Sequence, residues 1–592
     1  MCRIAGIIDR RSNTIAADIL AMRDSMRRGG PDSEGVYHDE RHKLALGHRR
    51  LSIIDLSNAG QQPMASDDGH VVIVYNGEIY NYLELKKELQ EQGVQFRTNS
   101  DTEVIIQAYI KWGSASFSKL KGMFAFVLYD KHTNELLLAR DPNGIKPLYY
   151  SVDGTSLYFA SEIRAFKAVT KKWEEEKDWR IYFLTYGYLP EPITTLKHVQ
   201  PLAKGTCLRV NVNTLSVKHE AFDVDSYSEI IKDEDEAIEI IRQKLNTAVD
   251  RHLISDAPIG LFLSGGIDSS LLTLIAKKTG HNDLHTLSII FGDKGFSEEE
   301  YQNIIVEATG AQHNAYSLTK EACLDAIPDV LKAMDQPTAD GINSYFICKF
   351  ARQAGLKAVL SGLGADELLG GYASFSRTKL AKGLRTMPSA LLKATSSLGK
   401  DKYRKVSFLS RKDAVGEYLF NRGFFSTKET AVITDASHKE VKDILMRIQV
   451  PGFVGELEEG NKVSYLERNL YMQSQLLKDT DVMSMWHSIE VRVPFLDIDF
   501  VHAVNSISPA LKFRRDKPKY LLVEAYKDIL PKKIWNRRKQ GFVFPFQKWM
   551  EGNEMLHNRK VEAGMTKKYQ EGKINWSRYW AYTIAQSYGT VS

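Results

Sequence analysis

The sequence predicts an α+β first domain built on antiparallel strands, followed by an α/β second domain built on a doubly wound parallel sheet, and two observations carry that reading. Residues 1 to about 220 of the 592 hold short alternating or apolar runs ("KLALGHRRLSIID", "HVVIVYNGEIYN", "GMFAFVLYD", "ELLLARD", "PLYYSVDG", "SLYFASE") separated by Gly, Asn and Asp turns. From about residue 226, helical stretches interleave with short apolar strands, the pattern of crossover units on a parallel sheet. The change falls in the acidic, weakly apolar stretch 223–237, which predicts domains at 1–222 and 223–592.

Two helices are expected in the first domain. "NYLELKKELQEQG" sets Leu83, Leu85 and Leu89 at helical spacing and stops at Gly93, and "SDTEVIIQAYIKWG" opens with Ser100 and Glu103 at the spacing of a capping box. Between them and the preceding strand, the Asn76-Gly77 pair of "YNGEIYN" is a hairpin-turn signal. In the second domain "APIGLFL", "SSLLTLIAKKTG" and "LHTLSIIFG" read as strand, helix, strand; "LKAVLSG" adds a further buried strand, and residues 376–470 read as helical. Neither repeats nor low-complexity segments occur.

Composition narrows the function classes. The hydrophobic share of 43% suffices for a core without staples. The four cysteines (Cys2, Cys207, Cys323, Cys348) form no CxxC pair and no zinc-ligand spacing, so a reducing cytosol is the expected compartment. No apolar run approaches the roughly 18 residues needed to cross a bilayer. With a formal charge of only +5, the basic stretches "KFRRDKPKY" and "PKKIWNRRKQGF" are expected to be solvated faces rather than a nucleic-acid footprint.

Three stretches of the second domain suggest phosphate chemistry. "LFLSGGIDSSLL" places Gly265 and Gly266 between a strand and a helix, where unencumbered N–H groups cradle an anion, while Asp268 suits a Mg²⁺ escort. It is not a Walker loop, since no lysine follows the glycines. "LSGLGADELLGGY" follows another strand, with Gly362, Gly364, Gly370 and Gly371 for turns and Asp366 and Glu367 for carboxylates; Asp268 and Asp366 are expected to share one cation. In "RRKQGFVFPF", Lys539 beside a glycine is a candidate for neutralising growing phosphate charge. At the other end, "MCRIAGIIDR" puts Cys2 directly after the initiator methionine. It is either a chance residue at a terminus or a nucleophile whose own α-amino group acts as base.

The loop "SGGIDSS" resembles the pyrophosphate loop of the ATP pyrophosphatase superfamily, and together with "GADELLGGY", "SIEVRVPFLD", "KQGF" and "MCRIAGI" it makes the chain resemble the glutamine-dependent asparagine synthetases. The resemblance implies a first domain of stacked antiparallel sheets with helices, of the Ntn-hydrolase kind, that hydrolyses glutamine. It also implies a second domain in which ATP adenylates a carboxylate, pyrophosphate leaves and ammonia attacks. By position, Ser264, Gly265, Gly266, Asp268, Ser269 and Ser270 would hold ATP's phosphates, Asp268 and Asp366 would bind Mg²⁺, Lys539 would stabilise the reacting phosphate, and Leu263, Ile289 and Gly362 would flank the adenosine. Cys2 would be the glutaminase nucleophile, its base an α-amine titrating near ~7.7–8.0. Arg50 would grip the glutamine carboxylate, Asn76 and the Gly77 N–H would form the oxyanion hole, and Glu78 and Asp101 would hold the substrate at its ammonium end. The resemblance further implies an internal ammonia channel, ATP and Mg²⁺ as cofactors, small-molecule partners only, no nucleic acid or membrane, a cytoplasmic enzyme and, by family default, a homodimer.

Several positions depart from the family pattern. Arg3 replaces a small residue, setting a positive charge beside Cys2 that is expected to lower its thiol pKa. Gly29 stands where the family's RGPD motif has arginine; Leu363 replaces an acidic residue, Asp479 and Val482 replace basic ones, and Gln336 replaces Glu. Three readings follow: asparagine synthetase acting on aspartate, a related amidotransferase acting on another carboxylate such as a uronic acid of a surface polysaccharide or a biosynthetic acid, and a catalytically degenerate binding protein. Retention of Cys2, Asp268 and Lys539 opposes the third.

Overall fold

A computed structural model describes residues 2–292, 297–397, 401–514, 517–537, 544–550 and 563–588. Two six-stranded antiparallel sheets form the first domain. One contains β1 (Arg3–Asp9), β2 (Ser33–Asp39), β3 (Leu44–Arg50), β8 (Tyr149–Val152), β9 (Ser156–Ala160) and β10 (Gln200–Pro201), in the order β10-β8-β9-β1-β3-β2. The other contains β4 (Met64–Ala65), β5 (Val71–Ile79), β6 (Gly122–Asp130), β7 (Glu135–Arg140), β11 (Thr206–Asn211) and β12 (Val217–Ala221), in the order β12-β11-β7-β6-β5-β4. A core including Ile4, Ile8, Leu46, Val72, Val74, Val127 and Leu138 joins the two sheets, so inner faces from both bury against each other.

The Asn76-Gly77 pair is not a turn. Both residues sit inside β5, opposite Ala125 and Phe124 of β6, and pairing continues on either side. Strand pairing overrides the local turn preference, and the glycine serves close approach instead: a Cβ on Gly77 would lie 2.2 Å from the Met123 carbonyl oxygen. Tyr82–Glu91 and Asp101–Trp112 are helical as expected. Ser100 caps the second through the Thr102 N–H, but Glu103 turns away from a reciprocal box and accepts from the Arg97 and Thr98 N–H groups. Helices Ile15–Ser25, Ile163–Lys167 and Trp179–Tyr186 escaped the strand-dominated sequence pattern.

In the second domain β13 (Ile259–Phe262), β14 (His285–Ile290), β15 (Gln312–Ser317), β16 (Ala358–Leu360) and β17 (Glu490–Arg492) form one all-parallel sheet, ordered β15-β14-β13-β16-β17. The chain builds outward from β13 in one direction and then returns to the other side, so the switch point lies between β13 and β16. Ligand loops are expected at the carboxyl ends of those two strands. Short strands β15, polar and partly exposed, and β17, only three residues, carry too little pattern to be read from sequence. The stretch 376–470 is a run of short helices that packs on the helix Trp179–Tyr186 of the first domain in a shared core. A second shared core sets Leu51, Tyr80 and Met123 against Leu261, Leu360 and Phe495.

Candidate functional sites

At one end of the stacked sheets, the start of β1, the end of β3, the middle of β5 and the first turn of Asp101–Trp112 converge. Cys2 is buried, and its backbone N–H donates to Asn76 Oδ1 at 3.1 Å. The other half of the same amide, Asn76 Nδ2, is a buried donor with no partner among the described residues. Such a group is costly unless something accepts from it.

Arg50 is buried, and its guanidinium donates to the carbonyls of Ile54, Asp55 and Ser57, which hold it in place. No carboxylate among the described residues ion-pairs with it, a charge arrangement that suits a ligand carboxylate. Gly60 makes the fit possible, because a Cβ there would fall 2.2 Å from Arg50 Nη2. Asp101 accepts from the Tyr75 hydroxyl at 2.8 Å and the Ile79 N–H at 3.1 Å, and Glu78 lies on the same strand with 6% exposure. Burial pushes both carboxyls above the usual range; for Glu78 the neighbouring Glu490 adds to the rise and Arg492 opposes it.

The expected effect of Arg3 on the thiol is overturned. Burial raises the Cys2 pKa, opposed by the Leu51 backbone hydrogen bond and the Arg50 charge among others, while Arg3 is spent elsewhere. Its fully buried guanidinium pairs with Glu162 at 2.6 Å and Asp481 at 2.9 Å. Neutralised by two carboxylates, it has little field left for the thiol.

In the second domain, β13 runs into Ser264–Gly266 and the helix Ile267–Lys278. Ser269 Oγ accepts from the Ser264 N–H at 3.1 Å and meets the Ser264 hydroxyl at 2.9 Å, which fixes the loop across the helix N-terminus. Gly265 has φ +77°, where a side chain would be strained and would press on Tyr301. Gly362, after β16, lies so close that its Cβ would come within 2.9 Å of Asp268 Cβ. The two glycine-rich loops therefore touch at the switch point. Leu263 and Ile289 are buried at the carboxyl ends of β13 and β14, and Ser270 is fully buried with its hydroxyl unpartnered among the described residues. Lys539 lies outside the described residues.

Asp268 and Asp366 both ion-pair with one lysine. Lys519 Nζ lies 2.5 Å from Asp268 Oδ2 and 2.5 Å from Asp366 Oδ1, with the side chain 4% exposed. Gly371 gives this cluster room: a Cβ there would overlap Asp366 Oδ1 and approach Lys519 Cε at 2.8 Å. Two carboxylates held around a buried ammonium, beside an anion loop, fit the one or two protein oxygens that Mg²⁺ takes when phosphates complete its shell. No group of three or more metal-ligating side chains occurs among the described residues.

The basic stretch around Lys519 is expected to be a solvated face; its left-handed backbone, φ +57°, instead turns Lys519 into the site at the start of Tyr520–Ala525. Arg537 was missed for the same reason. It donates to the Gly265 carbonyl at 2.9 Å and to Glu298 at 2.7 Å, steadying the loop from behind.

Three of the departing residues meet in one cleft between the domains. Gln336, Asp479 and Val482 line it with Tyr149, Thr338 and Lys478. Thr338 donates to Asp479 at 2.7 Å, Gln336 donates to the Tyr149 hydroxyl at 3.0 Å, and Lys478 leans to Glu191 at 3.5 Å. Burial, with Asp340 nearby, pushes the Asp479 carboxyl well above the usual range. Leu363 packs at the edge of the shared apolar core.

A cysteine held by an asparagine between stacked antiparallel sheets, joined to a parallel sheet with a pyrophosphate-type loop at its switch point, defines a two-domain glutamine amidotransferase of the ligase class. Residues 1–222 match the glutamine amidotransferase domain family, and residues 240–568 match the asparagine synthase family. The chain is 33% identical to asparagine synthetase (glutamine-hydrolyzing) 1 of Bacillus subtilis, over 94% of this chain and 89% of that protein. It is 31% identical to asparagine synthetase (glutamine-hydrolyzing) 3 of the same organism, over 92% and 87%. A third relative, amidase chry2 of Gibberella zeae, is 27% identical over 96% and 91%. The chain belongs to the glutamine-hydrolysing asparagine synthetase family. No described helix is long and apolar enough to cross a membrane.

Proposed function

We propose that residues 1–222 release ammonia from glutamine and that residues 223–592 join it to a carboxylate activated by ATP, with aspartate the acceptor and asparagine, glutamate, AMP and pyrophosphate the products. The observation that carries the first half is the Asn76 amide, which ties down the Cys2 nitrogen through Oδ1 and keeps Nδ2 buried beside it, without a partner among the described residues. Once Met1 is removed, the nitrogen held by Asn76 is an α-amine, able to take the thiol proton. The thiolate attacks the glutamine amide carbon, Asn76 Nδ2 and the Gly77 N–H stabilise the oxyanion, and ammonia leaves with the returned proton. Water then releases glutamate from the thioester. Arg50 orients the substrate by its carboxylate, and Glu78 and Asp101 hold its ammonium.

In the second domain the loop Ser264–Ser269 holds the pyrophosphate end of ATP, with Leu263, Ile289 and Gly362 around the adenosine. Asp268 and Asp366 would hold Mg²⁺, which would supply neutralisation of the phosphate charge. Lys519 supports the two carboxylates, and the role of stabilising the reacting phosphate is assigned to Lys539 from the sequence. The acceptor carboxylate takes the α-phosphate as an acyl-adenylate, and ammonia displaces AMP. We place the enzyme in the cytosol.

A second reading, amidation of another carboxylic acid, draws on the cleft where Gln336, Asp479 and Val482 meet and on Leu363 within an apolar edge. A wall in which Asp479 and Gln336 stand, and whose lysine leans to Glu191, offers a second carboxylate on the acceptor no unengaged cation. The name of the relative amidase chry2 also points away from a single substrate. Pyrophosphate release with ATP, Mg²⁺ and glutamine, measured with and without L-aspartate, separates the two. Stoichiometric asparagine, AMP and pyrophosphate establish aspartate; glutamate release without aspartate-dependent pyrophosphate moves the acceptor to another acid.

A further inference from the structure

The glutamine site is not built by the first domain alone. Arg492, on β17 of the second domain, is fully buried, and each part of its side chain is fixed. Nε donates to Glu490 Oε1 at 2.5 Å, Nη1 donates to the His252 and Ile254 carbonyls at 2.8 and 2.6 Å, and Nη2 reaches across the domain boundary to within 3.5 Å of Glu78 Oε2. Glu490 opens the same three-residue strand and is itself fully buried. The Tyr80 ring, two residues beyond Glu78, stacks on His252 at 3.8 Å and closes this seam from the side. At its backbone, Arg492 accepts from the Ser361 N–H at 2.8 Å, the first residue of the loop that carries Gly362 and Asp366.

We propose that Arg492 is a positioning residue of the glutamine site, contributed by the second domain, which aims the Glu78 carboxylate at the substrate ammonium. The inference rests on the glutaminase reading of Cys2 and Glu78 given above. Two facts argue for a positioning role rather than mere packing. Glu490 alone makes a direct hydrogen-bonded ion pair with Arg492, so Nη2 is not needed to neutralise the strand. It is also a buried donor without a hydrogen-bond partner among the described residues, set against Glu78, one of the two carboxylates assigned to the substrate ammonium. A small adjustment of Glu78 on binding glutamine would satisfy both groups. The backbone bond to Ser361 makes the same residue a rigid link between the phosphate loops and the glutamine pocket, so the two sites share a part without sharing a ligand.

The test is a double-mutant cycle on the full chain, read as KM and kcat for glutamine hydrolysis, with ammonia-driven pyrophosphate release reporting the fold of the second domain. Arg492→Gln is expected to raise KM for glutamine roughly 10- to 100-fold, the scale of a lost charge-assisted contact, with kcat changed far less. In a Glu78→Gln background the same substitution is expected to add nothing to KM. A KM unchanged by Arg492→Gln, or an increase that persists in full when Glu78 is already Gln, overturns the inference. If Arg492→Gln loses ammonia-driven activity as well, Arg492→Lys replaces it, with the same cancellation in the Glu78→Gln background required and its absence counted against the proposal. A wild-type enzyme that hydrolyses no glutamine refutes the glutaminase reading itself, and the proposal falls with it.

Discussion

Replacing Asn76 by alanine separates stability from catalysis in a way that follows from its two halves. Among the described residues, Oδ1 accepts one hydrogen bond, from the Cys2 nitrogen, and Nδ2 donates none. Removing the acceptor costs about 1 kcal/mol, but removing a buried unsatisfied donor returns about 1–3 kcal/mol, so the fold should change by little. Catalysis should not be spared, because Nδ2 finds its partner only when the oxyanion forms. Loss of one such donor costs about 2.7–4 kcal/mol in the transition state, or roughly 10²- to 10³-fold in kcat. Asn76→Asp keeps the shape and the acceptor but turns a second oxygen toward the developing charge, so it should lose at least as much. The assay is glutamate release at saturating glutamine, alongside thermal unfolding and ammonia-driven pyrophosphate release. A kcat within threefold of wild type in Asn76→Ala, with unchanged unfolding, would show that the orphan donor is not the oxyanion donor.

Cys2→Ala should abolish glutamine-dependent turnover and leave ammonia-driven turnover in place; loss of both would refute two separable sites. Lys512 is 2% exposed, donates to the Val504 carbonyl, and is pushed down to about 7, chiefly by burial and then by Arg468. The folded chain thus binds fewer protons than the unfolded one between about pH 7 and the ordinary lysine pKa near ~10.4, and stability should rise with pH across that window. Lys512→Met should stabilise the protein most at or below pH 7, with the gain shrinking as pH climbs toward 10, measured as melting temperature against pH; a gain independent of pH would contradict the depressed pKa. Gly29→Ala would place a Cβ 2.8 Å from Arg3 Cγ, and overpacking of this kind costs about 1–3 kcal/mol. Thermal unfolding should show the loss, and Arg3→Ala in the same chain should remove most of its increment.

What the sequence made legible depended on how local each signal was. The anion loop could be read because strand, glycines, serines and helix follow one another within a dozen residues, and the loop after β16 for the same reason. Cys2, Arg50, Asn76 and Asp101 are spread over a hundred residues and three strands and a helix, so only family resemblance assembled them in advance. The Asn76-Gly77 pair misled because a strong local turn signal lost to nine residues of pairing between β5 and β6. Lys519 and Arg492 were out of reach for a different reason. Their roles depend on partners 251 and 414 positions away, and their own neighbourhoods, one basic and one apolar, give opposite and equally wrong hints.

Departures from a family pattern weigh differently once their positions are known. Taken singly, Arg3 and Gly29 each look like damage beside the nucleophile. In the folded chain they are one change, because the Arg3 side chain crosses the Gly29 Cα at a distance that leaves no room for a Cβ. Its guanidinium then joins Glu162 of the first domain to Asp481 of the second, with Lys146 3.6 Å from the same aspartate. The absence of a side chain at position 29 is what lets Arg3 set its buried charge at the domain seam. Gln336, Asp479 and Val482 behave as a set too, but their shared surface is a cleft rather than a filled core, and the one lysine that lines it, Lys478, leans to Glu191. Arg3 and Gly29 fit one another and bury their change in packing away from the thiol; the cleft set changes groups that face open space, and that is where the choice of acceptor should be sought.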